Sequence, residues 1–368
     1  MKGTKGKRNG WLWLLLALVV VPCVRAVILE GTGDPSYNTN APTGSLTNSG
    51  WQYEGQWSIF LGTPIAPRFF LAAKHIGGSL GGSFVLNGFT YTTVAQFDDP
   101  STDLRIWQVG QTFPYYAPLY TGTNEAGSPC VVIGRGTDRG PAVIVGGVTN
   151  GWQWGNTNNI ERWGENTILG VSTDTVNYAA AQVLYAAFDR SGNSNECDIS
   201  YDDSSGGMFI QDGGSTGTWK LAGINYTVDD AFVSTNGVNG SGFNASLMDY
   251  FHLYLQSGTN WVLFTGHYAA RFYCTRVSAR ISWINSVINY EPGPDLRITG
   301  TQMVGTNEQI NLSTGSNRLY RVDYTSDMVT GVWTTLTNNL AGTGGIVTIT
   351  DPGAASQPQR FYRVAIVQ

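Results

Sequence analysis

The sequence predicts an all-β protein: a large domain of short antiparallel strands in sandwich or barrel architecture, followed by a small β module. Three observations predict it. Only 13% of the 368 residues are charged while 47 are glycine, a composition that suits strands joined by tight turns and excludes coiled coils and long helical bundles. Short apolar runs, such as Phe69 to Ala73, Leu104 to Val109, Cys130 to Ile133 and Trp219 to Ile224, are separated by Gly, Asn, Asp or Pro. Finally, 42% hydrophobic and 12% aromatic residues supply enough apolar surface to repay the entropy of folding, so disorder is not the default.

The N-terminus stands apart. Lys2, Lys5, Lys7 and Arg8 precede an unbroken apolar run from Trp11 to Val21, followed by Val24-Arg25-Ala26. The run is too short for an ordinary membrane span, and small residues stand where a signal peptidase cuts, so residues 1–26 read as a cleaved secretory signal. The mature chain is then secreted or periplasmic, with no membrane association. Removing the five basic residues of that segment leaves 16 against 26 acids, a net charge of −10, and nucleic acid is a poor partner. Cys130, Cys197 and Cys274 remain in an oxidising compartment. One disulfide plus one buried thiol is expected, with the pairing open. No CxxC or HExxH occurs and His75, His252 and His267 are scattered, so neither a metal site nor a cofactor is expected.

The main domain runs over 27–290 and closes on a helix. After Ser278 as N-cap, Ile281, Ile284, Val287 and Ile288 fall on one face. Glu291-Pro292-Gly293-Pro294-Asp295 cannot continue a helix and reads as a linker. Residues 296–368 form the small β module. There Arg318-Leu319-Tyr320-Arg321-Val322 is echoed by Arg360-Phe361-Tyr362-Arg363-Val364, with Tyr and Val on one face and the arginines turned away. A structural or attachment role is expected for it, with surface or carbohydrate contact as the alternative.

Acyl transfer by serine requires a hydroxyl nucleophile, an imidazole that takes and returns its proton, a carboxylate that orients the imidazole, and donors for the oxyanion. The main domain offers each. His75 ends the apolar run Phe69-Phe70-Leu71-Ala72-Ala73-Lys74, Asp103 opens another at Leu104-Arg105-Ile106-Trp107, and Asp202-Asp203-Ser204-Ser205-Gly206-Gly207 forms a tight bend feeding Met208-Phe209-Ile210. Each alone is an ordinary strand end or turn.

Together they resemble the chymotrypsin-like (trypsin-like) serine peptidases. Ala72-Ala73-Lys74-His75 is similar to that family's Ala-Ala-His strand end, Asp103-Leu104-Arg105-Ile106 to its Asp-Ile-Ala-Leu, and Asp203-Ser204-Ser205-Gly206-Gly207 to its Gly-Asp-Ser-Gly-Gly loop. Cys130-Val131-Val132-Ile133-Gly134-Arg135-Gly136, Leu221-Ala222-Gly223-Ile224, and Thr275-Arg276-Val277-Ser278 with Trp283-Ile284 resemble further family segments in the same chain order. The resemblance covers roughly residues 45 to 290. It implies two β-barrels with a terminal helix, and a secreted serine endopeptidase of the exported bacterial branch acting on protein or peptide substrates. His75 is then the base, Asp103 its orienting partner and Ser204 the nucleophile.

The resemblance leaves Ser204 and Ser205 to be told apart. Ser204 is favoured, because Asp203 then precedes it and Met208-Phe209-Ile210 falls in register. That choice places the oxyanion hole at the amides of Asp202 and Ser204, with Asp202 and Ser205 standing where the family has glycine. A carboxylate beside a developing oxyanion is unfavourable. Asp198 lies where trypsin-like members place the carboxylate that recognises Arg or Lys, although Phe272 and Tyr273 can fill that pocket. Asn225, Tyr226 and Thr227 align with the strand that receives an extended substrate. Val27-Ile28-Leu29-Glu30-Gly31 resembles the N-terminus of activated family members, whose ammonium would reach the loop carboxylate Asp203; an unpaired or locally hydrogen-bonded start is the favoured alternative. The departures at Asp202 and Ser205 also keep open a non-catalytic binding or adhesion protein of the same fold, and coincidence of the triad order would leave a β-rich lectin or surface protein.

Overall fold

The computed structural model describes residues 26–288 and 297–366, apart from 158, 175–176, 179–180, 230, 316–317 and 329–331. The expected signal segment, apart from Ala26, and the expected linker at 291–295 lie outside the described residues. The chain divides into two compact units between Ile284 and Asn285.

Nearly all regular structure in the first unit is antiparallel β. It opens with the short strand β1 (Ile28–Leu29). Strands β2 (Gly55–Trp57), β3 (Phe60–Ala66), β4 (Phe69–Ala73), β5 (Ser83–Leu86), β6 (Phe89–Asp98) and β7 (Leu104–Val109) follow and close into a barrel in the order β2-β3-β4-β7-β6-β5. Its interior is aromatic: Trp57, Phe70, Phe84 and Trp107 are buried together, with the Phe70 and Phe84 rings stacked at 4.1 Å. Such ring contacts add to area burial in fixing the register.

The chain continues through β8 (Pro129–Gly134), β9 (Thr137–Val145), β10 (Val148–Thr157), β11 (Arg162–Thr167), β12 (Gly170–Asp174), β13 (Ala181–Ala187), β14 (Cys197–Asp198), β15 (Gly207–Asp212) and β16 (Thr218–Val228). Four short strands come next, β17 (Phe232–Ser234), β18 (Phe243–Leu247), β19 (Tyr254–Ser257) and β20 (Asn260–Leu263), then β21 (Arg271–Arg276) and helix α1 (Ile281–Ile288). Seven of these strands form the sheet β11-β8-β15-β16-β21-β13-β12. It wraps one apolar core that gathers Val132, Leu184, Met208, Ala222 and Phe272. Hydrogen bonding leaves this second barrel open, and the pair β1-β14 packs Leu29 and Cys197 into the same core.

The sequence did not announce a further sheet, β20-β19-β17-β18-β10-β9, in which the excursion between β16 and β21 pairs with the long hairpin β9-β10. It has its own core of Val143, Val233, Leu247, Tyr250 and Leu253.

Two expectations need correction. The three cysteines are free and buried. They sit on different strands, with the Cys130 thiol donating to the Asn166 carbonyl and the Cys274 thiol to Asn225 Oδ1, both at 3.3 Å. Burial pushes the titration of all three thiols upward, which makes them inert core residues rather than half-cystines. Ser278 does not cap the terminal helix. A 3-10 turn, Ser278–Arg280, precedes α1, and the Ser278 hydroxyl donates instead to Glu125 Oε1 at 2.6 Å. Glu125 is fully buried and also takes a two-pronged contact from Arg276 at 2.8 and 2.7 Å. The helix is still amphipathic as expected, with Ile284 and Val287 buried.

The second unit has two three-stranded sheets. One joins β22 (Ile298–Val304), β23 (Asn307–Ser313) and β26 (Ile346–Asp351); the other has β24 (Leu319–Thr325) between β25 (Thr334–Ala341) and β27 (Phe361–Ile366). The two echoed segments are direct partners, with Val322 opposite Val364, and Ile310, Leu312, Val322 and Ile349 form the core between the sheets.

Burial loads the first unit with reluctant acids. Asp198 is raised to about 7 by burial despite donors from Ser246 and Ile199. Glu161 is raised to about 8 by burial against the opposing pull of Arg135, and Glu196 to about 8 by burial and the nearby Asp189. Their unfolded values are about 4, so the folded chain binds more protons between pH 4 and 8. Stability is therefore greatest near pH 4 to 5 and falls as pH rises through these raised values. Chemical denaturation at a series of pH values checks this, and Asp198→Asn should flatten the decline near pH 7.

Candidate active site

Strand pairing places the first two functional groups side by side. Ala73 at the end of β4 lies opposite Leu104 at the start of β7, so the residues just beyond these ends meet. The Lys74 amide donates to the Asp103 carbonyl at 2.7 Å and the His75 amide to Asp103 Oδ1 at 3.0 Å. His75 Nδ1 then lies 2.5 Å from Asp103 Oδ2. The His75 side chain is 40% exposed and that of Asp103 only 1%, which gives a sheltered carboxylate holding an accessible imidazole. The turn that presents Asp103 is organised by buried Asp99, which accepts from the Ser101 amide and Thr102 hydroxyl. Arg280 reaches Asp99 with two bonds of 2.6 and 2.7 Å.

The third group comes from the bend before β15. Ser204 Oγ is 2.9 Å from His75 Nε2. In the neutral tautomer, Nδ1–H donates to Asp103 and Nε2 accepts from the Ser204 hydroxyl, an assignment made from these partners. Ser205 faces the other way. Its hydroxyl is fully buried and accepts the Ala73 amide at 3.0 Å, so it is committed to bracing the loop against β4.

Both serial departures from glycine occupy left-handed backbone, Asp202 at φ 69° and Ser205 at φ 73°, a conformation that costs a residue with a Cβ. The Asp202 carboxylate is drawn aside, accepting the Thr157 hydroxyl of β10 at 2.9 Å. No hydrogen-bond partner is found for the amides of Asp202 and Ser204 among the described residues, as an oxyanion hole requires.

Asp203 pins the bend. Its buried carboxylate accepts the Gly136 amide at 2.7 Å and the Ser200 amide and hydroxyl at 2.8 Å each, together with the backbone N–H of Val27. Burial raises it to about 6 against the pull of these donors. Val27 is itself fully buried.

These groups edge a cleft of about 680 Å³ whose walls include Trp154, Ile199, Tyr226, Thr227 and Val228. Of the three residues expected along a substrate strand, Tyr226 and Thr227 line it. Asn225 is buried behind, donating to the carbonyls of Ile133 and Asp203 at 2.9 and 3.0 Å. Asp198 does not line the cleft: it is 1% exposed, accepts the Ile199 amide at 2.9 Å and takes a hydrogen bond from Ser246 of β18, whose hydroxyl accepts the Trp154 indole at 2.9 Å. The added sheet thus covers the carboxylate. Phe272 lies in the core, and the Tyr273 hydroxyl donates to Asp229 at 2.7 Å. Sequence reading missed Trp154, Asn177 and Tyr178 on the cleft wall; only the density of aromatics around these strands hinted at them.

No family model and no curated protein matches the sequence. Among solved structures, the chain is similar to neuropsin, a serine protease expressed in the limbic system of mouse brain, at 14% identity and a TM-score of 0.42, covering 66% of this chain and 96% of that one. It is also similar to the inactive form of a mutant Rv3671c from M. tuberculosis H37Rv, at 12% identity and a TM-score of 0.38, covering 69% and 97%.

Asp202→Gly removes both the left-handed strain and the charge near the free amides. Any hydrolytic turnover should rise several-fold in kcat with KM little changed, because the charge it opposes develops in the transition state. Steady-state kinetics on a mixed peptide library measures this, and Ser204→Ala in the same background should abolish the gain.

Proposed function

We propose that the protein is an exported serine endopeptidase that cleaves peptide bonds through an acyl-enzyme on Ser204. The observation that carries this reading is the unbroken line from Ser204 Oγ through His75 to buried Asp103, at 2.9 and 2.5 Å, on the edge of an open cleft. With a peptide extended along Tyr226 and Thr227, Ser204 Oγ attacks the scissile carbonyl carbon while His75 Nε2 takes its proton. Asp103 holds Nδ1–H and stabilises the imidazolium. The carbonyl electrons move onto oxygen, which the amides of Asp202 and Ser204 receive. Collapse expels the amine with the proton from His75, and water repeats the sequence to release the acid. Ile199 and Val228 on the cleft wall, with Asp198 covered, favour an apolar side chain before the cut over a basic one.

A serine-directed fluorophosphonate probe tests the reading. Labelling should vanish in Ser204→Ala and persist in Ser205→Ala, the latter with about 1 to 3 kcal/mol less stability because the buried Ala73 amide loses its acceptor. A folded wild-type chain that resists the probe would instead favour a non-catalytic binding protein, the reading that Asp202 and Ser205 invite.

Export and activity are linked in this proposal. Cleavage after Ala26 converts the Val27 N–H that already meets Asp203 into an ammonium, replacing a neutral donor with an ion pair in a buried site. A chain beginning at Val27 should react with the probe faster and melt higher than one whose Val27 is acetylated. Equal rates and melting points would detach the N-terminus from the site.

A further inference from the structure

His75 supplies two of the donors around Asp103, its amide and Nδ1. A third comes from outside the barrel. The Tyr178 hydroxyl donates to Asp103 Oδ1 at 3.3 Å from the short connection between β12 and β13. Its ring lies 4.6 Å from the Lys74 ammonium, which in turn donates to the carbonyls of Asp99 and Thr102 at 3.0 Å each, on the turn that ends at Asp103. The neighbouring Asn177, with Asp174 at the end of β12, grips Tyr226, which also lines the cleft. The Tyr226 hydroxyl donates to Asp174 Oδ2 and accepts from Asn177 Nδ2, both at 2.7 Å, and the Tyr226 ring stands 6.1 Å from that of His75. Asn225, beside Tyr226 on β16, turns its amide to Ile133 and Asp203 instead.

We propose that Tyr178 is a positioning residue, whose hydroxyl fixes the rotation of the Asp103 carboxylate so that Oδ2 stays aimed at His75 Nδ1. The Asp174-Tyr226-Asn177 clasp ties this support to the strand that receives substrate. The inference rests on reading His75, Asp103 and Ser204 as a triad. A carboxylate with 1% side-chain exposure depends on protein donors for its solvation, and a carboxyl group free to rotate would exchange the oxygen facing the imidazole. The charged and titratable groups facing this cluster are Lys74, Asp98, Asp174 and Asp103 around Tyr178, and Asp103, Tyr226 and Ser204 around His75; Asp98 is paired with Arg105. Burial and the adjacent Asp103 push the Tyr178 phenol up to about 12, so it remains a donor throughout the neutral range.

Tyr178→Phe is the test, since it keeps the ring over Lys74 and removes only the hydroxyl. Expected are a kcat lower by about three- to tenfold, consistent with loss of one longer charge-assisted bond, a KM within about twofold, and a melting temperature lower by only a few degrees. The acid limb of kcat/KM should move to higher pH, because Asp103 with one donor fewer holds the imidazolium more tightly. Independently of turnover, the downfield Nδ1 proton resonance of His75 in the NMR spectrum should shift in the variant. An unmoved resonance, or a kcat loss explained wholly by a lower folded fraction, overturns the proposal. A wild type that fails to turn over peptides while the resonance still responds to the substitution overturns the triad's peptidase role and leaves the positioning role standing.

Discussion

The carboxylate of Asp203 is the point on which the bend that carries Ser204 depends. It has no exposed surface, yet it binds together three separate stretches of chain: the amide and hydroxyl of Ser200 within its own bend, the Gly136 amide after β8, and the backbone at Val27. An acid so buried is held by donors rather than by water, and each hydrogen bond it accepts anchors a loop. This also explains why glycine stands at 134 and 136. A Cβ on Gly134 would lie 2.1 Å from Asp203 Oδ1, and one on Gly136 would lie 2.2 Å from the Tyr201 carbonyl. The bend can close only over bare backbone, and its closure turns Ser204 outward to His75 while Ser205 is drawn inward against β4.

The parts of this arrangement that were legible in the sequence are those in which a local pattern carries its own geometry. A run such as Phe69 to Ala73, buried at every position, can only be a central strand, and the polar residue that ends it must emerge at a barrel rim. Asp103 and the Asp203-Ser204-Ser205-Gly206 bend were readable for the same reason. What resisted reading was decided by partners distant in sequence. Asp198 and Ser246 are 48 positions apart, and Tyr178 meets Asp103 across 75 residues; nothing in the local composition of either fixes such a meeting. The cysteines resist sequence reading because an oxidising compartment alone does not bring two thiols together: the Cys130 and Cys274 thiols donate to carbonyl oxygens, and all three stay free and buried.

The excursion between β16 and β21 illustrates how an added element changes a site without touching the reacting atoms. Its strands β17 to β20 extend the β9-β10 hairpin, and through Ser246 and Trp154 they set both the fate of Asp198 and one wall of the cleft. Thr157 at the far end of that hairpin also draws the Asp202 side chain aside. One sheet therefore shapes the cleft and holds the Asp202 carboxylate to one side of it.

The three buried thiols carry a different kind of consequence. With Cys130, Cys197 and Cys274 unpaired inside a single apolar core, no disulfide among the described residues shortens the loops of the unfolded chain, and the first unit bears its full chain entropy on folding. Its assembly is accordingly uncoupled from any oxidant: no shuffling among half-cystines can trap it, and a reducing environment takes nothing from the finished fold. Aromatic and aliphatic packing around those sulfurs does the work that small exported domains commonly give to disulfides.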